Sequence, residues 1–242
     1  MKKYWGEMPY YEQPTTGEIK RRSSETKKRE KAKGKVLEPV VIQGRNIVKN
    51  WWGMAWCNNL EQYADYSSRI DRGKRYVRTG AVIDLKIEKG KVSAKVQGTR
   101  KTPYKTEIRI SPLSEERCQQ IIGKCGKKLE NVEELLAGRF PEEMEELFCG
   151  KDGLFPSPRE ISFTCSCPDW ALMCKHVAAA LYGVGARLDD NPMLFFELRG
   201  IEIGHFIDVT LANKVEAMLA NIDMPSSRIM GEDEISGLFG VL

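Results

Sequence analysis

Within twelve positions the chain gathers Cys165-Ser166-Cys167 and, after six further residues, Cys174-Lys175-His176. Three sulfurs and an imidazole are the donors that zinc(II) prefers, and four of them close a tetrahedron. Residues i and i+2 of a strand share a face, so Cys165 and Cys167 can present two sulfurs to one point. Pro168-Asp169 then turns the chain back. Cys174 is expected just before a helix and His176 in its first turn, where the positive end of the helix dipole favours thiolates. Four protein donors leave no open position for water, which argues against a hydrolytic centre. Zinc(II) with three thiolates and a neutral imidazole carries a charge of about −1. Lys175, between two of the ligands, offsets it. Zinc peptides of this kind bind with about 10–16 kcal/mol, against a domain stability of roughly 5–15 kcal/mol. Losing one ligand is expected to unfold at least the local region.

The remaining cysteines do not extend this pattern. Cys57, Cys118, Cys125 and Cys149 bring the total to seven. An odd number, with no secretion signal ahead of it, argues against a disulfide framework and for a reducing compartment. These four read as small buried hydrophobes. Only His205 is left to join them, so no second metal site is expected. His205 itself, after Gly204, reads as an exposed residue at a helix start. The opening Met1-Lys2-Lys3-Tyr4-Trp5-Gly6-Glu7 lacks the apolar stretch of a signal peptide. No run of eighteen apolar residues occurs. A cytoplasmic protein without a membrane partner is the expectation.

The net charge of +4 hides an asymmetry. Residues 18–35 hold nine Lys or Arg against three Glu, which is +6, and leave −2 for the rest. Residues 1–39 have few aliphatics, many charges, Pro9, Pro14 and Gly17. Such a stretch buries too little to offset chain entropy. It reads as a disordered basic arm, either a plain solvated tail or one for nucleic-acid phosphates.

Order is expected from residue 40, with 41% apolar residues in the chain as a whole. Trp56, Leu60, Tyr63 and Ala64 recur at helical spacing, predicting a helix over about 54–66. The tryptophans around it read as core, with base stacking as the alternative. Val77, Ala81, Ile83, Leu85 and Ile87 mostly alternate. Lys89-Gly90-Lys91 makes a turn; Val92, Ala94 and Val96 alternate again; Tyr104, Thr106, Ile108 and Ile110 form a third run. Together they predict an antiparallel meander over about 77–111 with one buried face. Helices follow over about 114–148: one capped by Ser114, a short one from Asn131 to Ala137, and one entered at Pro141. Its acidic residues 142, 143, 145 and 146 read as a solvated face, or one turned to a protein partner.

Pro156 and Pro158 mark a boundary. Ile161, Phe163 and Cys165 alternate as a strand into the metal cluster. Val177, Ala180, Leu181, Val184 and Leu188 then predict a helix, weakened at Gly183 and Gly185 by about 1 kcal/mol each. Asn191-Pro192 starts another carrying Leu194, Phe195 and Leu198. Residues 209–221 read as a further amphipathic helix, with a mobile tail from Pro225. The fold class is α+β. It divides into an arm (1–39), an α+β domain (40–155), a zinc-finger region (156–200) and a C-terminal helix with its tail (201–242).

The spacing Cys165-x-Cys167 and Cys174-x-His176 resembles the SWIM zinc finger. Pro168-Asp169 and Lys175-His176-Val177-Ala178-Ala179 agree with it. Trp51-Trp52-Gly53-Met54-Ala55-Trp56, Arg72-Gly73-Lys74-Arg75-Tyr76-Val77-Arg78, Val96-Gln97-Gly98 and the run from Tyr182 to Asp189 are similar to prokaryotic SWIM proteins across about residues 45–200. The resemblance implies a ββα-like finger and Cys165, Cys167, Cys174 and His176 as zinc ligands. It also implies binding to DNA or protein, and a Swi/Snf-type helicase-like ATPase as partner.

Two basic clusters suit a phosphate backbone. One is Arg69, Arg72, Lys74, Arg75 and Arg78, interleaved with Tyr76. The other is Arg100, Lys101 and Lys105, with Tyr104. If the sheet forms as expected, the two share one edge; the plain alternative is a solvated surface. No G-x-x-x-x-G-K-[ST] loop occurs, no carboxylate cluster has metal spacing, and no nucleophile is signalled for a histidine base. The expectation is a non-enzymatic zinc-binding adaptor that takes no small-molecule substrate. It binds nucleic acid, DNA over RNA, or a helicase-like ATPase, or both. The alternative is a pure protein-interaction module.

Overall fold

The computed structural model describes residues 14–128, 140–150 and 153–220. Its centre is a helix that the sequence marks as unusual. Lys175–Asp190 (α6) is buried on every side from His176 to Ala186. A helix apolar all round must be enclosed, and three layers enclose this one. On one side lies a four-stranded antiparallel sheet in the order β1-β2-β3-β4. Its strands are β1 Val82–Glu88, β2 Lys91–Val96, β3 Tyr104–Ile110 and β4 Ile161–Cys165. Val92, Ala94 and Val96 of β2, and Tyr104, Thr106, Ile108 and Ile110 of β3, point inward, as their alternation requires. Gly90 closes the first hairpin at φ 69°, a conformation that suits glycine.

On the other sides lie α2 (Trp51–Glu61) and α3 (Ser67–Arg78). Both approach α6 more closely than side chains normally allow. A Cβ on Gly73 would sit 2.5 Å from Ala178 Cβ, so α3 rests almost backbone to backbone on α6. A Cβ on Gly185 would meet Trp56 Cδ1 at 3.0 Å. Gly183 and Gly185 thus lower helix propensity in exchange for close packing.

The three tryptophans are core residues, and base stacking is ruled out for Trp52 and Trp56, which are buried. Each indole N–H donates to a carbonyl: Trp51 to Phe140, Trp52 to Leu188 and Trp56 to Leu181, at 2.9, 3.1 and 3.0 Å. Asp189 ties the α6 end to the α2 start, accepting from the Lys49 and Asn50 amides at 2.9 and 2.8 Å.

The other helices are α4 (Glu115–Lys128), a 3-10 turn Glu142–Met144 with α5 (Glu145–Cys149), α7 (Leu194–Arg199) and α8 (Ile203–Ala220). Phe148 of α5 sits in an aromatic cluster with Phe155, Phe195 and Phe196. Glu142, Glu143, Glu145 and Glu146 face solvent, as expected. His205 is exposed in the first turn of α8. The helix expected over 131–137 and the tail from residue 225 lie outside the described residues.

Several expectations need correction. The basic arm is not disordered over its described part: Thr16–Ala32 is a helix (α1). Thr15 accepts from the Glu18 amide while Glu18 reaches back to the Thr15 amide, a capping box. Ile19, Ser23 and Thr26 form one small buried face, and Thr26 Oγ1 donates to Gln97 Oε1 at 2.8 Å. The buried stripe is mostly hydroxyls, which hydropathy does not register.

Residue 77 lies in a helix rather than a strand. Ile70, Gly73 and Val77 recur at helical spacing, and the chain leaves α3 through Gly80 at φ 69°. The helix expected over 54–66 begins and ends earlier, at Trp51 and Glu61. The strand expected beyond the boundary at Pro156 is β4 of the same sheet, paired along β3 from Thr106↔Cys165 to Ile110↔Ile161. The metal cluster therefore grows from the edge of the main sheet. Of the four other cysteines, Cys57 and Cys125 are buried and Cys118 is half-buried, but Cys149 is exposed.

Candidate metal centre

Cys165 ends β4, Cys167 follows in the turn, Cys174 is the N-cap of α6 and His176 stands in its first turn. One donor atom from each lies within 4.8 Å of all the others. His176 Nδ1 is 4.0 Å from Cys165 Sγ and 3.9 Å from Cys174 Sγ. A zinc tetrahedron with bonds of about 2.3 Å to sulfur and 2.0 Å to nitrogen has edges of roughly 3.5–3.8 Å. Around an ion these two pairs contract by a few tenths of an ångström and the widest by up to about 1 Å.

Backbone amides face the sulfurs. The Cys167 N–H points to Cys165, that of Asp169 to Cys167 and that of Val177 to Cys174, each favouring the thiolate. Among the protein groups alone, the Cys165 thiol yields its proton first. The Cys174 thiol donating to it is the largest cause, with His176 and Thr106 adding to it against burial. Facing that thiolate pushes Cys174 up, and burial pushes Cys167 up. Three crowded sulfurs resist joint ionisation unless a cation neutralises them, so the donor set calls for a divalent ion. Burial holds His176 below the ordinary imidazole value and keeps it the neutral ligand a metal needs.

The surroundings lock His176 in place. Tyr104 stacks on its ring at 4.2 Å and Tyr76 meets it edge-on at 5.6 Å. These are the two tyrosines found among the basic clusters, and both are buried, so they support a metal ligand rather than offer a ring to a base. Gly98 closes the pocket, since a Cβ there would lie 2.6 Å from Tyr104 Cε2 and 3.0 Å from His176 Nε2. Gly98→Ala is expected to displace one of these rings and weaken metal affinity by about 10–100-fold, the usual effect of disturbing a ligand's support. Competition against a chromophoric chelator measures it.

The loop between the ligand pairs is pinned from α3 and its approach. Arg69 pairs with Asp169 at 3.1 Å, and Asp65 accepts from the Leu172 and Met173 amides at 2.9 and 3.4 Å. Ala171 and Met173 turn inward, while Trp170 and Leu172 turn out, 79% and 76% exposed. No sequence signal marks Asp65 as a support, and the Val96-Gln97-Gly98 resemblance points to Gly98 without giving its role, because both act across long stretches of chain.

The basic residues are partly engaged within the fold. Arg69 is spent on Asp169. Lys74 pairs with Glu61 at 2.8 Å and lies over the Tyr182 ring. Arg72 and Arg75 are half-buried and Arg78 is exposed, all on α3. Arg100, Lys101 and Lys105 are exposed around the start of β3. They neighbour α1 instead: Arg29 donates to the Lys101 carbonyl at 3.1 Å and Arg22 to that of Thr99. Residues 69–78 are helix rather than the lead into a strand, so the first cluster lies on α3 and not on a strand.

This cluster is a candidate metal-binding knuckle built into the edge of the sheet. The SWIM zinc finger family model matches residues 162–184, which span the last part of β4, all four donors and the first half of α6. The chain is also similar to an uncharacterized protein, Rv2102, of Mycobacterium tuberculosis. The two are 35% identical over 158 residues, which is 64% of this chain and 57% of that protein. This chain thus matches little more than half the length of its relative. No solved structure matches. Among the described residues, no helix is long and apolar enough to cross a membrane.

Proposed function

We propose that this chain is a non-enzymatic, cytoplasmic adaptor in which a structural zinc(II) ion holds a nucleic-acid-binding scaffold together. The observation that carries the reading is the donor set: four protein ligands, mutually within 4.8 Å, fill a tetrahedral shell and leave no site for a reacting water. The charge supports the rest. The +6 of residues 18–35 sits largely on an ordered helix beside Arg100 and Lys101, a placement that suits phosphates. DNA is favoured over RNA, and a Swi/Snf-type helicase-like ATPase is the proposed partner, both from the SWIM resemblance. The test is an electrophoretic titration of the zinc-loaded chain with DNA and RNA. Salt-sensitive binding is expected, with a log–log slope of about −0.7 to −0.9 per phosphate contact. Absence of binding to either would remove the nucleic-acid half.

One observation favours a second reading, a pure protein-interaction module. Trp170 and Leu172 stand exposed on a pinned loop, and Leu211, Val215, Met218 and Leu219 are exposed on α8. Rigid exposed tryptophans are common anchors in protein interfaces. Purification from native cells with an ATPase, while DNA binding stays absent, would favour this reading.

A further inference from the structure

We infer that a single strand of DNA lies across the solvent-facing side of the sheet, with its phosphates read by Lys86 and Lys105; this rests on the nucleic-acid reading above. The inward side of the sheet covers α6, but the outward side is open. A trough of about 690 Å³ crosses all four strands there. One rim is the segment after α1, at Lys35 and Val36. It is held along β1 by Leu85 N–H to the Glu38 carbonyl and Val40 N–H to the Val82 carbonyl, at 2.9 and 3.0 Å. The other rim is the start of the metal knuckle. There the Ser166 amide donates to the Lys105 carbonyl, and the Lys105 amide to Ser166 Oγ, both at 3.0 Å.

The lining chemistry selects phosphate. Four ammonium groups, Lys35, Lys86, Lys95 and Lys105, face two carboxylates. Both carboxylates are already occupied: Asp84 by Lys95 at 2.7 Å, and Glu107 by Lys91 and Arg109 at 3.3 and 2.7 Å. Lys86 and Lys105 are exposed and make no ion pair among the described residues. Ser93, Thr164 and Ser166 add neutral donors. No aromatic side chain lines the trough, so it suits the backbone of a strand rather than its bases. With rims on both sides, the trough is assigned to one strand rather than to a duplex. The knuckle forms one rim, which gives the metal a role in binding as well as in folding.

The experiment is fluorescence anisotropy of a labelled oligodeoxythymidine with the full zinc-loaded chain across a salt series. Lys86→Glu with Lys105→Glu is expected to weaken binding by about tenfold or more and to flatten the salt slope by about 1.4, two contacts at about 0.7 each. Both lysines are exposed, and an unchanged thermal melt confirms that the variant folds. Lys124→Glu with Arg159→Glu changes the charge equally away from the trough and is expected to alter binding less than threefold. If the Lys86/Lys105 variant binds as the parent does, while Arg72→Glu with Arg78→Glu loses binding, the strand lies on α3 and the trough is refuted, with the nucleic-acid reading intact. If the parent binds no oligonucleotide, that reading falls and the trough with it. Tighter binding of the matching duplex, or of RNA to the exclusion of DNA, overturns the assignment to a single DNA strand.

Discussion

Replacing Cys174 with serine is expected to abolish stoichiometric zinc binding and to unfold the junction between β4 and α6. Cys174 is 1% exposed and caps α6, so its sulfur has little room to be replaced by solvent. Losing one thiolate from a closed shell removes most of an apparent binding energy of about 10–16 kcal/mol. The chain as a whole should nevertheless stay folded, unlike an isolated finger. The core around α6 is large, and the β1–β2 hairpin, α2 and the phenylalanine cluster supply none of the four donors. Hydrogen exchange should therefore show amides 162–176 losing protection while those of 82–96 keep theirs. Far-ultraviolet dichroism should fall only modestly. Global loss of protection would show that the ion, and not the core, nucleates the fold. Zinc affinity should also fall as pH drops. Cys167 and Cys174 hold their protons more tightly than a free thiol, and the metal must displace them.

Trp56→Ala is expected to cost about 3–5 kcal/mol of unfolding free energy, the range for a buried tryptophan. Trp56 is 1% exposed and packs edge-on against Phe155 and Phe195 at 5.7 and 5.9 Å. Its indole donates to the Leu181 carbonyl, and its ring fills the space that Gly185 leaves open. Truncation leaves a void that α6 cannot close, because the sheet already packs on its far side, where a Cβ on Gly183 would meet Leu85 and Val82 of β1 at 3.5 and 3.8 Å. Urea unfolding with an unchanged m-value would confirm a packing loss. A cost below about 1 kcal/mol would show that α2 slides to refill the space.

Much of the site was legible in one dimension. The four donors lie within twelve residues and helix spacing places Cys174 and His176 together, but Cys167 joins them from the bend after β4 rather than from the strand itself. The meander was legible too, since Val92 to Val96 and Tyr104 to Ile110 alternate cleanly and Gly90 marks the turn. The capping box at Thr15 and Glu18 could have revealed α1, but its buried face of Ser23 and Thr26 looks solvated to any hydropathy measure. The end of α3 was hidden because Val77, followed by Ala81 and Ile83, mimics the start of an alternating run.

The sequence by itself determined which residues gather at the metal and that a mixed sheet-and-helix fold surrounds them. Those properties depend on spacings of a few residues, and local geometry sets them. Only the tertiary structure decided that Tyr76 and Tyr104 clamp His176, that Asp65 holds the metal loop, and that lysines from β1 and β3 share one open face. Each of these joins residues well separated in the chain, from 19 positions for Lys86 and Lys105 to 107 for Asp65 and Leu172, and their meeting depends on how closely glycine lets α3 approach α6 and on the register of four paired strands.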